Sequence, residues 1–392
     1  MYLRLLFLLC FLFAAHLVIY GTTVRFFKVT ANRTKNFIFL SASFLSISFI
    51  FSRILLGISY NTVTQTYYAI NAFWVGFAIN LLMASVVVWT IAFIGFIFSR
   101  DLPKKAVCSI LFLTAFLFSI YGLWSAFNPV IKRIEVNIKG LPVNWQGKTL
   151  VQISDVHLGA IHTAGYFSSI AKRINALNPD IIFITGDLFD GLGADGLAGF
   201  IEPLNELVAK DGILYVNGNH ENYIGIDRVM SVLQKTKLRV LYDDVVNIGG
   251  LQIIGVAYPD FGVSRNIVKI ITSQKGYSKN LPTILLYHTP TNIVQKNVRV
   301  EQAQTSTYWS PDIDYTAAKK LGVNLQLSGH THTGQFIPFT FLAHYLYKGY
   351  EYGLHTDGDF SIYTTNGLGS FGPSMRTGNI PEIVVIKLKP GA

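Results

Sequence analysis

Acidic residues are almost missing from the first third of this 392-residue chain: residues 1–130 contain one, Asp101, against nine Lys and Arg. Beyond that point the two signs nearly balance, so the net charge of +10 is carried by the first part. Cysteine is scarce as well. Cys10 and Cys108 are the only two, and both sit in apolar runs, which excludes a disulfide framework or a thiolate metal site anywhere later in the chain and leaves the redox compartment open. There is no internal repeat and no low-complexity segment, so a solenoid or a fibrous array is excluded. Because the basic excess lies among apolar residues, it is juxtamembrane charge rather than a nucleic-acid patch, and no nucleic-acid partner is expected.

What the chain has in abundance is apolar sequence: 51% of residues, with a mean hydropathy of +0.40, too apolar for a pair of soluble domains. Four runs account for it, Tyr2 to Tyr20, Asn36 to Ile58, Ala69 to Phe98 and Ala106 to Phe127. Each can cross about 30 Å of hydrocarbon as a helix. The first has the length of a signal peptide, but its amino-terminal region has a single positive charge, no small-residue cleavage site follows it, and three more spans come after. It is read as a retained span.

Loop charge sets the orientation. Gly21 to Lys35 carries Arg25, Lys28, Arg33 and Lys35, and Ser99 to Lys105 carries Arg100, Lys104 and Lys105, whereas Ser59 to Tyr68 carries none. Basic loops face the cytoplasm, which puts everything after the fourth span outside the cytoplasmic membrane. Lys132 and Arg133 argue the other way, but they open a large domain. Within the spans His16, Arg53, Asn71 and Asn80 are polar exceptions; snorkelling and interhelical hydrogen bonds account for them, and the bundle is assigned no chemistry.

From about Ile134 short apolar runs alternate with amphipathic stretches. Strands are expected at Thr149 to Ile153, Ile181 to Ile184, Ile213 to Val216, Leu251 to Val256, Thr283 to Tyr287, Asn324 to Leu327, Phe360 to Thr364 and Ile383 to Leu388. Helices are expected at Ala164 to Leu177, Leu197 to Ala209, Ile224 to Lys235 and Tyr315 to Leu321. The organisation expected is a transmembrane region of four helices over 1–130, a linker over 131–145, and a two-sheet α/β sandwich over 146–392 with its site along one sheet edge.

Five polar fragments each follow an expected strand: Asp155-Val156-His157, Gly186-Asp187-Leu188-Phe189-Asp190, Gly218-Asn219-His220-Glu221, His288, and Gly329-His330-Thr331-His332. Singly they are ordinary turn formers or core histidines. As an ordered set they offer Asp, Asn and His side chains and no thiolate, which suits two hydrolytic divalent ions rather than a structural zinc.

This order resembles the calcineurin-like metallophosphoesterase superfamily, over residues from about 145 to 390. The closing Thr365-Asn366-Gly367-Leu368-Gly369, Arg376 and Pro381-Glu382-Ile383 are similar to its bacterial membrane-associated branch. The resemblance implies that Asp155, His157 and His332 bind one ion, that Asn219, His288 and His330 bind the other, and that Asp187 bridges them. It implies two divalent ions, manganese first and iron or zinc as alternatives, with a metal-bridged hydroxide attacking phosphorus. His220 then serves as proton donor or charge stabiliser, and Asp190 holds its other nitrogen. Glu221 is expected to cap a turn, and His162, His344 and His355 match no motif position. Two departures stand out: Thr333 where the branch has Gly, expected to alter loop geometry, and a long segment from Asn292 to Pro311.

The expected function is a membrane-anchored phosphoesterase that cuts phosphate ester or diphosphate bonds, with the lipid bilayer as partner. Phe336, Phe339, Phe341, Leu342, Tyr345 and Leu346 follow the last metal motif as either covered core or a lipid-contacting lip, and four nearby spans favour a lipid phosphate or lipid-linked diphosphate. Two alternatives stand beside it: a cytoplasm-facing enzyme resembling UDP-diacylglucosamine pyrophosphohydrolases, and a non-catalytic metal-binding scaffold. Oligomeric state is not legible.

Overall fold

The computed structural model describes residues 2–100, 102–191, 194–259, 265–294 and 308–391. It divides into two compact units, Met1–Ser125 with Gly372–Thr377, and Ala126–Phe371 with Gly378–Ala392.

The first unit is built on α1 (Tyr2–Phe26), α2 (Asn32–Ile58), α3 (Thr62–Ile97) and α4 (Lys104–Phe127), each long and apolar enough to cross a membrane. All four are longer than their apolar runs, and in α1 and α3 the local chemistry of the added residues is visible. Thr22 and Thr23 donate back to Val18 O and Ile19 O, so their hydroxyls are satisfied within the polar end of α1. Asn61 caps α3 by accepting from the backbone of Val63 and Thr64, which draws the uncharged stretch before Ala69 into the helix. The polar exceptions find partners inside the unit. Trp74 Nε1 donates to His16 Nε2 at 3.0 Å, Asn80 donates to Ser119 Oγ at 2.8 Å, Asn71 donates to Tyr67 O, and Arg53 lies over the Tyr68 ring.

The second unit is a sandwich of two six-stranded sheets. One contains β1 (Val130–Ile138), β2 (Leu150–Ile153), β3 (Ile181–Thr185), β4 (Ile213–Val216), β5 (Arg239–Val240) and β12 (Glu382–Pro390), in the order β1-β12-β2-β3-β4-β5. The other contains β6 (Asp244–Ile248), β7 (Leu251–Val256), β8 (Thr283–Tyr287), β9 (Leu325–Ser328), β10 (Gly353–Asp357) and β11 (Phe360–Thr364), in the order β10-β11-β9-β8-β7-β6. The core lies between them, where Phe183, Leu214 and Val216 meet Ile253, Ile284, Leu286 and Leu327. Leu285 and Tyr287, one residue out of phase, pack on the opposite face with Ile267, Ile271 and Leu321. Alternation of period two thus fills both faces of β8.

Two expectations are corrected. Residues 131–145 are not a linker: most of β1 lies there, paired in parallel along its whole length with β12. From Arg133 to Ile138 this strand alternates exposed polar and more buried apolar residues, as an edge strand does, and its charges hide it from a search for apolar runs. Leu197 to Ala209 is no single helix but short turns at Ala194–Leu197, Ala198–Phe200 and Ile201–Asn205, interrupted where Gly199 and Pro203 weaken helical propagation. Phe339–Tyr347, read as covered core or a lipid-contacting lip, is a helix that buries Ala343 and Tyr347 and exposes Phe341 and Tyr345. The β6–β7 hairpin turns at Gly249 and Gly250, both at positive φ, a pairing that the Gly-Gly dipeptide already advertises.

Candidate active site

β2, β3 and β4 run parallel in one sheet and β7, β8 and β9 parallel in the other, so their carboxyl ends release loops at one edge. Asp155 and His157 follow β2, Asp187 follows β3, Asn219 and His220 open a helix after β4, His288 directly follows β8, and His330 and His332 follow β9. Asp155, His157, Asp187, His330 and His332 all have left-handed backbone, with φ between 46° and 75°. Non-glycine residues rarely adopt it, and such clusters of strain occur where tertiary contacts over-determine a functional geometry. Gly186 makes room: its φ is 88°, and a Cβ there would stand 2.5 Å from Nδ1 of His288.

The side chains form two clusters that share Asp187. In one, His288 Nε2 lies 3.1 Å from Asn219 Oδ1, 3.2 Å from His330 Nδ1 and 3.2 Å from Asp187 Oδ2. In the other, His157 Nε2 lies 3.0 Å from His332 Nε2, which lies 3.5 Å from Asp155 Oδ1. Asp187 Oδ2 is also 4.0 Å from His157 Nε2, so one oxygen faces both clusters. Donors bound about 2.1 Å from a single ion stand roughly 3.0 to 3.4 Å apart, which the closest spacings match. Every donor is a hard or borderline N or O atom. The residues fit two divalent ions.

Protonation agrees with that fit. His288 Nδ1 faces Thr185 O at 2.9 Å, which fixes that nitrogen as a donor and turns Nε2 toward Asp187. Burial disfavours its charge, but Asp187, Asp155 and the Thr185 carbonyl together outweigh burial and raise the imidazole to about 9. A proton on Nε2 there occupies the place of a cation. Burial, with positive neighbours, lowers His157 and His330 to about 3, leaving neutral imidazoles with lone pairs to give. Burial opposes ionisation of Asp187, yet His288, His220 and His157 hold its carboxyl well below the usual range.

His220 stands beside this cluster. Its Nδ1 is 3.2 Å from Asp190 Oδ1, its backbone N–H donates to Asp187 Oδ1 at 2.9 Å, and its Nε2 is 4.0 Å from Asp187 Oδ2. It is thus within reach of the carboxylate that joins the clusters, but farther from it than His288. Glu221 points away from the donors and accepts from the backbone of Gly218, Asp187 and Phe189, bracing the Asp187 loop. The histidines without a motif position are held elsewhere: His162 Nε2 accepts from Ser370 N, His344 pairs with Glu351, and His355 contacts Tyr352 O.

The closing signature supports the site from beneath. Leu368 and Gly369 donate to the carbonyls of Ser154 and Asp155, while buried Glu382 accepts from Tyr363, Thr365, Tyr352 and the backbone of Asn366. Thr333 takes φ 45° and ψ 36°, a conformation that glycine reaches freely, and its hydroxyl bonds to Asn366 Oδ1. Sequence reasoning missed Phe371, whose ring centroid is 5.7 Å from that of His220 and 6.1 to 6.2 Å from those of His157 and His332. It also missed Gln335, bonded to both backbone groups of Phe371, and Asn379, which donates to His332 O. Their only sequence signal is closeness to a motif. Tyr308, from the long segment Asn292 to Pro311, sets its ring 5.6 Å from His330; residues 295–307 of that segment lie outside the described residues.

A two-sheet sandwich with a histidine and carboxylate cluster at its strand ends defines the class, a metallophosphoesterase fold. A family model described as calcineurin-like phosphoesterase matches residues 148–334. An uncharacterized metallophosphoesterase of Campylobacter jejuni is 30% identical over 301 residues, covering 74% of this chain and 73% of the relative. One from Helicobacter pylori is 30% identical over 307 residues, covering 77% and 76%. A transmembrane protein with metallophosphoesterase domain from Danio rerio is 29% identical over 297 residues, covering 71% and 62%. The chain belongs to the calcineurin-like metallophosphoesterases, and it carries four apolar helices ahead of that domain.

Proposed function

We propose that this protein is a binuclear, metal-dependent phosphoesterase, in which Asp155, His157 and His332 hold one divalent ion, Asn219, His288 and His330 the other, and Asp187 both. The observation that carries this is the spacing of the donor atoms within each of two clusters that Asp187 Oδ2 faces, close to what ligands of one ion require. Ions held there would supply an activated water and neutralise phosphate oxygens. Asn219 as a neutral donor leaves more of that positive charge for an anionic substrate. His220, charged and held by Asp190, stands where it can give a proton to the leaving oxygen, and Phe371 covers three of the imidazoles.

For the substrate we infer a phosphorylated lipid or lipid-linked diphosphate. The helix Phe339–Tyr347 begins seven residues after His332 and exposes Phe341 (71%) and Tyr345 (79%), with Ile337 and Trp309 also exposed. Aromatic side chains left bare beside a hydrolytic site, in a chain with four apolar spans, favour a substrate with an acyl portion. Loop charge favours a catalytic domain outside the cytoplasmic membrane. Lys132 and Arg133 favour the opposite orientation, with the same chemistry on the cytoplasmic side.

A hydrolysis screen of the full-length protein with manganese tests the reading, using nitrophenyl mono- and diesters beside lipid phosphates. Metal-dependent turnover, greatest on a lipid phosphate, is expected. Stoichiometric metal with no turnover on any phosphate would leave a scaffold, and no bound metal would remove the assignment altogether.

A further inference from the structure

The segment Gly372–Thr377 belongs by its contacts to the helical unit. There the side chain of Met375 fills a notch left by two glycines. A Cβ on Gly76 of α3 would stand 2.6 Å from Met375 Cε, and one on Gly122 of α4 would stand 2.6 Å from Thr377 Cγ2 and 3.3 Å from Met375 Cβ. Arg376 N donates to Gly122 O at 2.9 Å, and the Asn80 amide, bonded to Ser119, approaches Met375 Sδ at 3.8 Å. Met375 and Arg376 are fully buried. Small residues that admit a foreign side chain between two apolar helices form a specific packing interface.

The residues that flank this segment belong to the other unit, and both flanks are tied to the loop that carries His332. Phe371 N donates to Gln335 Oε1 at 3.0 Å and Gln335 Nε2 donates to Phe371 O at 3.1 Å, while Gly378 N donates to Gln335 O at 2.9 Å. Asn379 donates to His332 O. From Phe371 to Met375 is four residues, a reach of at most about 14 Å, so the position of one restricts the other through the chain itself.

We propose that Met375 is a positioning residue: seated between α3 and α4, it restrains the segment whose ends fix Phe371 and the His332–Gln335 loop. The apolar helices then act on the metal site as well as anchoring the chain. This rests on the metal reading above. The test uses the full-length protein in detergent, with manganese binding followed by electron paramagnetic resonance and kcat and KM measured on a nitrophenyl ester. Met375→Ala and Gly76→Leu should weaken manganese binding about tenfold, the usual loss when a group behind a metal ligand is removed, and raise KM more than they lower kcat. Met375→Leu should restore most of the binding. Gly57→Leu, on α2 with nothing within 4 Å, controls for added bulk. If Gly76→Leu fails to fold, Met375→Ala alone decides. Wild-type manganese affinity and KM in Met375→Ala would overturn the proposal, as would an equal loss in Gly57→Leu. A parent protein that binds no manganese would overturn the metal reading and the proposal with it.

Discussion

Asp190 Oδ1 lies 3.2 Å from Nδ1 of His220, leaving Nε2 of the same ring turned toward the carboxylate that joins the two donor clusters. If His220 gives its proton to the leaving oxygen, His220→Ala should retain metal and slow esters of poor leaving groups by about 10² to 10⁴. Nitrophenyl esters, whose leaving group needs little protonation, should lose much less. Equal losses on both would assign His220 to stabilising phosphoryl charge, and loss of metal would make it a ligand.

The same pair predicts a pH effect. Burial lowers the proton affinity of His220, but Asp187 and Asp190 outweigh it and raise the imidazole to about 9. An unfolded histidine titrates near 6.5, so the proton favours the folded state. Its contribution is complete below about pH 6.5 and is lost as pH rises through about 9. Turnover of poor leaving groups should fall over the same upward range, since the proton is the catalyst. Cations bound at Asp187 offset that residue's share, which brings the decline below 9 in the loaded enzyme. Asp190→Asn should move it lower still in a pH–rate profile of kcat/KM, and an unmoved profile would remove Asp190 from the site.

Asp187 presents one oxygen to both clusters, so Asp187→Asn should strip or weaken two ions at once and abolish hydrolysis. Metal analysis after desalting checks it. Two ions retained with normal turnover would contradict the bridging role.

Gly369 packs against the carbonyl of Val156 so closely that any Cβ would collide with backbone rather than with a movable side chain. Gly369→Ala should therefore cost roughly 1 to 3 kcal/mol and displace Asp155, whose carbonyl accepts from Gly369 N. Thermal unfolding followed by fluorescence should show a lower Tm, with weaker metal binding beside it. An unchanged Tm would mean that the loop yields.

The orientation reading predicts that protease added to intact spheroplasts removes the domain after the fourth span. Cleavage only after permeabilisation would place it in the cytoplasm.

The sequence by itself determined the elements whose signal is local. Four long apolar runs specify helices, eight of the strands announce themselves by apolar content, and the fragments from Asp155 to His332 carry their chemistry in residue type and in their place after a strand. Tertiary structure decided what depends on a partner distant in sequence. β1 is a strand because β12 offers it a ladder, and its charges are tolerable because Lys132, Arg133 and Glu135 are all exposed. Phe371 acquires a role because Gln335 holds it over the histidines, and no periodicity encodes that contact. Asn80 and Gly76 read as unremarkable residues within an apolar helix; only folding brings a methionine from nearly three hundred residues later into the space they leave. Local preferences are set by neighbours along the chain, whereas a donor geometry or a packing notch exists only once separate segments share a volume.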